Sequence, residues 1–123
     1  MAEEKIKPRF TVREASEGGA SVTVIELAGQ LDAHTAPEFE RFLEDVVRDD
    51  GKQHLVLDFH ALEYISSAGL GVLMGLIEEV RASGGDMKLA ALPEKIFHVL
   101  DLLGFPMVFQ IFPTVAEAEA AFH

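Results

Sequence analysis

The sequence predicts an α/β fold: a mixed sheet of about five strands that begins with an antiparallel hairpin and carries about four helices. Three observations predict it. Two apolar runs separated by a glycine pair open the chain, and short apolar runs then alternate with stretches whose apolar residues recur every three or four positions. Two Thr-x-x-Glu spacings also sit where helices are due to start.

Residues 10–14 and 22–28 read as the paired strands, and Gly18 and Gly19 offer the positive φ of a hairpin turn. Val22, Val24, Ile25 and Leu27 fall on both faces of the second run, so that strand is expected inside the sheet rather than at its edge. Thr35 followed by Glu38 has capping-box spacing, and Phe39, Phe42, Leu43, Val46 and Val47 then recur at helical intervals. Residues 54–59 (HLVLDF) form the next strand. Leu70, Leu73, Met74, Ile77 and Val80 give the stripe of a second helix, closed by the ASGG segment. Residues 87–92 (MKLAAL) make a fourth strand. Pro93 opens a helix with Ile96, Phe97, Leu100 and Leu103 inward and Gly104 at its C-terminus. Residues 108–112 (VFQIF) read as the fifth strand, and Thr114 with Glu117 caps an alanine-rich last helix that ends near Phe122.

Composition narrows the function. A chain of 123 residues, 49% hydrophobic, suits one domain spanning residues 1–123, with 1–9 expected to be loose. No run approaches the roughly 20 apolar residues of a membrane helix, so direct membrane insertion is not expected. The absence of cysteine removes disulfides and thiolate chemistry and fits a cytoplasmic protein. Ten basic against 21 acidic residues give a net charge of −11, which disfavours nucleic acid and favours a protein partner with a basic docking face.

Catalytic and cofactor signatures are weak. The five histidines, His34, His54, His60, His98 and His123, show no familiar ligand pairing, and no HExxH or calcium-loop pattern is present. No GxSxG surrounds Ser66 or Ser67. The glycines of GLGVLMG miss a dinucleotide fingerprint, because the third falls one residue late and the turn is not expected to follow a strand directly. Asp58, at a strand end, reads as a turn or hydrogen-bonding residue, since the early acidic cluster that a phosphoacceptor aspartate requires is missing. The chain is therefore expected to be no enzyme and to need no cofactor or metal. What remains is ISSAGLGVLMG, residues 65–75, with two hydroxyls at the mouth of an apolar helix. One serine suffices to cap a helix; a phosphate on the other would sit at a positive helix end.

The segment LVLDFHALEYISSAGLGVLMGLIEEVRASGGDMKLAAL resembles the STAS domain of bacterial anti-sigma factor antagonists. GQLDAHTAPEF looks like that family's loop before its first helix, and LLGFPMVFQIFPTVAEAEAAF looks like its ending, so the resemblance runs from Phe10 to Phe122. It implies a STAS-like fold and partner switching. In that scheme the unphosphorylated protein binds an anti-sigma factor that is also a serine kinase, phosphorylation breaks the complex, and a PP2C-type phosphatase restores it. In the family's D-S-S/T-G pattern the acceptor is the serine two residues before the glycine, here Ser67 before Gly69. Ser66 stands where the family has aspartate and is the alternative acceptor, and Ala68 replaces the Ser or Thr. The resemblance also implies a partner-binding surface containing Asp32, Thr35, Ser66, Ser67, Gly69 and Leu70, with helix capping as the competing role for Thr35. Two alternatives stand beside this reading: a STAS scaffold or transporter accessory subunit that uses the same helix surface without phosphorylation, and a small-molecule or nucleotide-binding sensor.

Overall fold

The computed structural model describes residues 9–17 and 20–122. In chain order these form β1 (Arg9–Glu17), β2 (Ala20–Leu31), α1 (Ala36–Glu44), β3 (His54–Ile65), α2 (Ser67–Ala82), β4 (Asp86–Ala90), α3 (Glu94–Leu102), β5 (Ile111–Phe112) and α4 (Val115–Ala120). The sheet order is β1-β2-β3-β4-β5; β1 and β2 pair antiparallel, and every later pair is parallel. The expected mixed sheet, opening hairpin and four helices are therefore present. The Gly18–Gly19 turn lies outside the described residues, as do residues 1–8 of the segment expected to be loose; Arg9 already belongs to β1.

Alternation along the central strands divides the apolar residues between two cores. Ile25, Leu27 and Leu31 of β2, with Leu55, Leu57 and Phe59 of β3, face the larger core, where Phe39 and Leu43 of α1, Leu73 and Ile77 of α2, and Ile96 and Leu100 of α3 meet them. Val22, Val24 and Val56 point the other way, onto Ala118 and Phe122 beside α4. Burial on both faces is why β2 sits between β1 and β3, as its two-sided apolar pattern predicts. Among the described residues no helix is long and apolar enough to cross a membrane.

Several boundaries differ from the sequence reading. β3 runs six residues beyond Phe59, because residues 61–65 continue to pair with β2 after two register shifts, one between Glu26 and Ala28 and one between Gly29 and Gln30. Each shift places an extra residue in β3, a bulge that breaks the period-2 signal and makes the segment look like a loop. The serines consequently follow a strand directly, contrary to the expectation. The fifth strand is only Ile111–Phe112. Gly104 (φ 80°) and Pro106 turn the chain into a 3-10 turn, Phe105–Met107, and Phe109 stacks on Phe105 at 5.5 Å instead of extending.

The inward stripes also shift. Met74, Phe97 and Leu103 are 44%, 40% and 59% exposed, so none of them anchors its helix as expected. In α2 the buried arc is Gly69, Leu70, Val72, Leu73, Leu76, Ile77 and Val80, which leaves Met74 past its edge. α1 continues into a π-helical turn, Asp45–Asp49, where the Asp50 N–H donates to the Asp45 carbonyl at 3.0 Å and Val46 stays in the core.

The turn between α2 and β4 is held by close backbone contact. A Cβ placed on Gly85 would lie 2.0 Å from the Gln53 carbonyl oxygen, which belongs to the backbone and cannot rotate away. Gly85→Ala is expected to lower unfolding stability by about 3 kcal/mol or more, read as a lower urea midpoint at unchanged m-value.

Candidate functional site

Parallel pairing brings the C-terminal ends of β2 and β3 side by side, with Leu31 opposite Ile65. The loop into α1 and the loop into α2 therefore emerge together. The second is one residue long: Ser66 leaves β3 in extended conformation (φ −96°, ψ 173°) and α2 begins at Ser67.

The two hydroxyls have different surroundings. Ser66 is half-buried; its N–H donates to the Leu31 carbonyl at 2.8 Å, and its Oγ accepts from the Gly69 N–H at 3.4 Å. It is the N-cap of α2. Ser67 occupies the first helical position, is exposed, and its hydroxyl makes no hydrogen bond among the described residues. A charged group placed there would stand at the positive end of α2, a helix of 16 residues.

The other predicted residues divide between loop and core. The expected cap of α1 is absent: Thr35, its N-cap, makes no side-chain cap bond, and the Thr35–Glu38 box does not form. Asp32 instead holds the turn just before the helix, and its carbonyl accepts the Ala36 N–H at 2.9 Å. Asp32 Oδ1 accepts from the N–H groups of His34 (2.9 Å) and Thr35 (3.0 Å), and Thr35 Oγ1 accepts from the Asp32 N–H at 3.0 Å. This is a reciprocal box spaced Asp-x-x-Thr, which competes successfully with the Thr-x-x-Glu spacing because it also closes the turn at the end of β2. Gly69 and Leu70 are buried. A Cβ on Gly69 would meet Ile65 Cγ1 at 3.0 Å and Leu31 Cβ at 3.3 Å, so a glycine lets the first turn of α2 approach both strand ends. Leu70 packs in the larger core and ties that turn to the sheet.

Beside the serines, Ala33, Ala36 and Pro37 of the first loop and α1 face Ala68, Gly71 and Val72 of α2 across a shallow groove of about 300 Å³, with Glu40 at its rim. A Cβ on Gly71 or Gly75 would meet nothing within 4 Å, so the outer face of α2 is open there. The groove was not legible in the sequence, because its walls are small residues whose closeness depends on the packing of α1 against α2.

A second group lies on the strands. Glu26 pairs with Asp58 in register, and Asp58 Oδ1 accepts from the His60 N–H at 3.0 Å and lies 3.0 Å from His60 Nδ1. Asp58 is thus the hydrogen-bonding residue expected. The ligand atoms of Glu26, Asp58 and His60 lie within 4.8 Å of one another, close enough to share a cation. The hydrogen bond and charge of Asp58 raise the His60 pKa above its ordinary 6.5.

Comparison with known proteins bears on the family and the fold. The chain matches the STAS domain family over residues 15–118. It is 28% identical over 92 residues to the anti-sigma F factor antagonist of Paenibacillus polymyxa, covering 75% of this chain and 76% of that one. It is 30% identical over 87 residues to the anti-sigma-B factor antagonist of Listeria monocytogenes, covering 71% and 75%. Among solved structures, an anti-sigma factor antagonist from Mycobacterium paratuberculosis superposes with a TM-score of 0.76 at 28% identity, covering 92% of this chain and 93% of that one. The chain belongs to the STAS domain family.

Two predictions follow from the packing and the charge pair. Gly69→Ala is expected to lower stability by about 1–3 kcal/mol, whereas Gly75→Ala on the open face raises it by about 0.5–1 kcal/mol, both read from denaturant midpoints. His60 is expected to titrate above 6.5 by NMR, and Asp58→Asn to bring it back toward that value. With a folded pKa above the unfolded one, the pair stabilises fully below pH 6.5, and this contribution is lost as pH rises through the raised value.

Proposed function

We propose that this chain is an anti-sigma factor antagonist switched off by phosphorylation of Ser67. The unphosphorylated form docks the start of α2, the open face carrying Gly71 and Gly75, and the groove beside α1 onto an anti-sigma factor that is itself a serine kinase, and so frees the sigma factor. The single observation that carries this reading is the division of labour between the hydroxyls: Ser66 is committed to the cap, while Ser67 is exposed and has no hydrogen bond among the described residues. The relatives' description as anti-sigma factor antagonists supports the partner class. A kinase can take Ser67 without breaking the helix start, which disfavours Ser66 as the acceptor.

Phosphorylation at Ser67 adds about −1.5 to −2 charge and three acceptor oxygens. The α2 dipole stabilises that charge within the chain, but a partner surface shaped for a neutral hydroxyl would have to desolvate it. A net charge of −11 already favours a basic partner face, so the switch acts on close contact rather than on long-range attraction. A PP2C-type phosphatase would reset it. The chain supplies the acceptor and the docking face; ATP belongs to the kinase. This assigns the protein to the cytoplasm.

The test pairs mapping with binding. Tagged protein is used to recover its partner from extracts of the source cells, and the recovered partner, purified, is incubated with the protein and MgATP. Mass spectrometry is expected to place phosphate on Ser67, and Ser67→Asp to weaken binding by at least about tenfold, near 1.4 kcal/mol, while Ser67→Ala binds normally and accepts no phosphate. Normal binding by Ser67→Asp, with no phosphate on Ser67, would contradict the switch and favour a constitutive scaffold.

A further inference from the structure

The hydrogen bonds around Leu31 form a continuous relay. Thr35 Oγ1 accepts the Asp32 N–H at 3.0 Å, and its own proton faces the Gln30 carbonyl at 3.1 Å, Asp32 Oδ1 at 3.2 Å and the Asp32 carbonyl at 3.4 Å. The accepted N–H ties the hydroxyl to the Leu31–Asp32 peptide. The Asp32 N–H and the Leu31 carbonyl belong to one planar peptide unit, so fixing the N–H fixes the direction of the carbonyl. That carbonyl accepts the Ser66 N–H at 2.8 Å, and Ser66 caps α2 one residue before Ser67.

We propose that Thr35 is a positioning residue for the phosphoacceptor, setting the place of Ser67 through the Leu31–Asp32 peptide and Ser66 rather than by touching a partner. Three features support it. The hydroxyl is engaged by its own loop. The Asp32 carboxylate restrains the same turn by holding the N–H groups of His34 and Thr35. The relay joins two segments distant in sequence, through the Ser66 N–H to Leu31 carbonyl bond at the peptide where β2 ends beside the start of α2. Peptide dipoles in line polarise one another, so loss of the Thr35 bond weakens the Leu31–Ser66 bond as well as freeing the plane. The phosphorylation half of this inference rests on Ser67 being the acceptor; the relay half does not.

NMR on the full chain tests the relay first. In the wild type a through-hydrogen-bond coupling is expected between the Ser66 amide nitrogen and the Leu31 carbonyl carbon; its absence, with a rapidly exchanging Ser66 amide, overturns the inference whatever the variants do. Thr35→Val is expected to accelerate Ser66 amide exchange about tenfold relative to amides in the interior of α2, and Thr35→Ser to restore it. Thr114→Val, which removes the cap of α4 where Thr114 Oγ1 accepts the Glu117 N–H, controls for general destabilisation. Equal acceleration in the Thr35→Val and Thr114→Val proteins overturns the relay.

Phosphorylation kinetics test the consequence. With the partner recovered as above and MgATP, Thr35→Val is expected to lower kcat for Ser67 by about tenfold with KM within about twofold, and Thr35→Ser to recover most of the rate. A raised KM at unchanged kcat would place Thr35 in the contact with the kinase and overturn the positioning role. If wild-type Ser67 receives no phosphate, the functional reading fails, while the amide measurements still decide the relay.

Discussion

The parallel pairing of β2 with β3 is the constraint on which the rest depends. Both strands are apolar on two faces, so they occupy the middle of the sheet and separate the core under α1–α3 from the smaller one under α4. Because the pairing reaches Leu31 and Ile65, it delivers two loops to one place and leaves room for a single residue, Ser66, before α2 begins. A shorter β3 would put a flexible loop there. The rigid strand-to-helix transition instead fixes which hydroxyl points inward and which outward.

That transition gives Ser66, which the resemblance sets at a position where aspartate is expected, a structural role of its own. Aspartate and serine are both good N-caps, since each offers an oxygen to the free N–H groups of the first turn. Ser66 performs this role through the Gly69 N–H. Serine at this position carries no fixed negative charge beside Ser67 and still holds the helix start in place. The neighbouring hydroxyl, which in sequence looks like a rival acceptor, is held in the structure by the helix it caps.

Much of the fold was legible in the sequence, because the hydrophobic period switches cleanly between elements and the Thr114 cap forms as its spacing implies. The failures share a cause: they depend on neighbours that local pattern does not see. The extension of β3 hides behind two bulges, and the arc of α2 is rotated enough to expose Met74. The box expected at Thr35–Glu38 does not form, because Asp32 and Thr35 bond each other to close the end of β2. At the site, the location of the serine pair was readable, and so was the possibility that one of them caps. Which one caps was not, because that depends on where β3 ends. Nor was the role of the Leu31 carbonyl, because a backbone group carries no sequence signal.

The structure thus describes a rigid helix start with one hydroxyl engaged and one offered outward, beside a groove of small residues. The most direct test of that division is to install phosphoserine at position 67 during translation and measure binding to the purified anti-sigma factor by calorimetry, alongside the unmodified chain. The account predicts that the phosphoserine protein keeps its fold by circular dichroism and loses measurable binding. Binding as tight as that of the unmodified chain, with the fold intact, would contradict it.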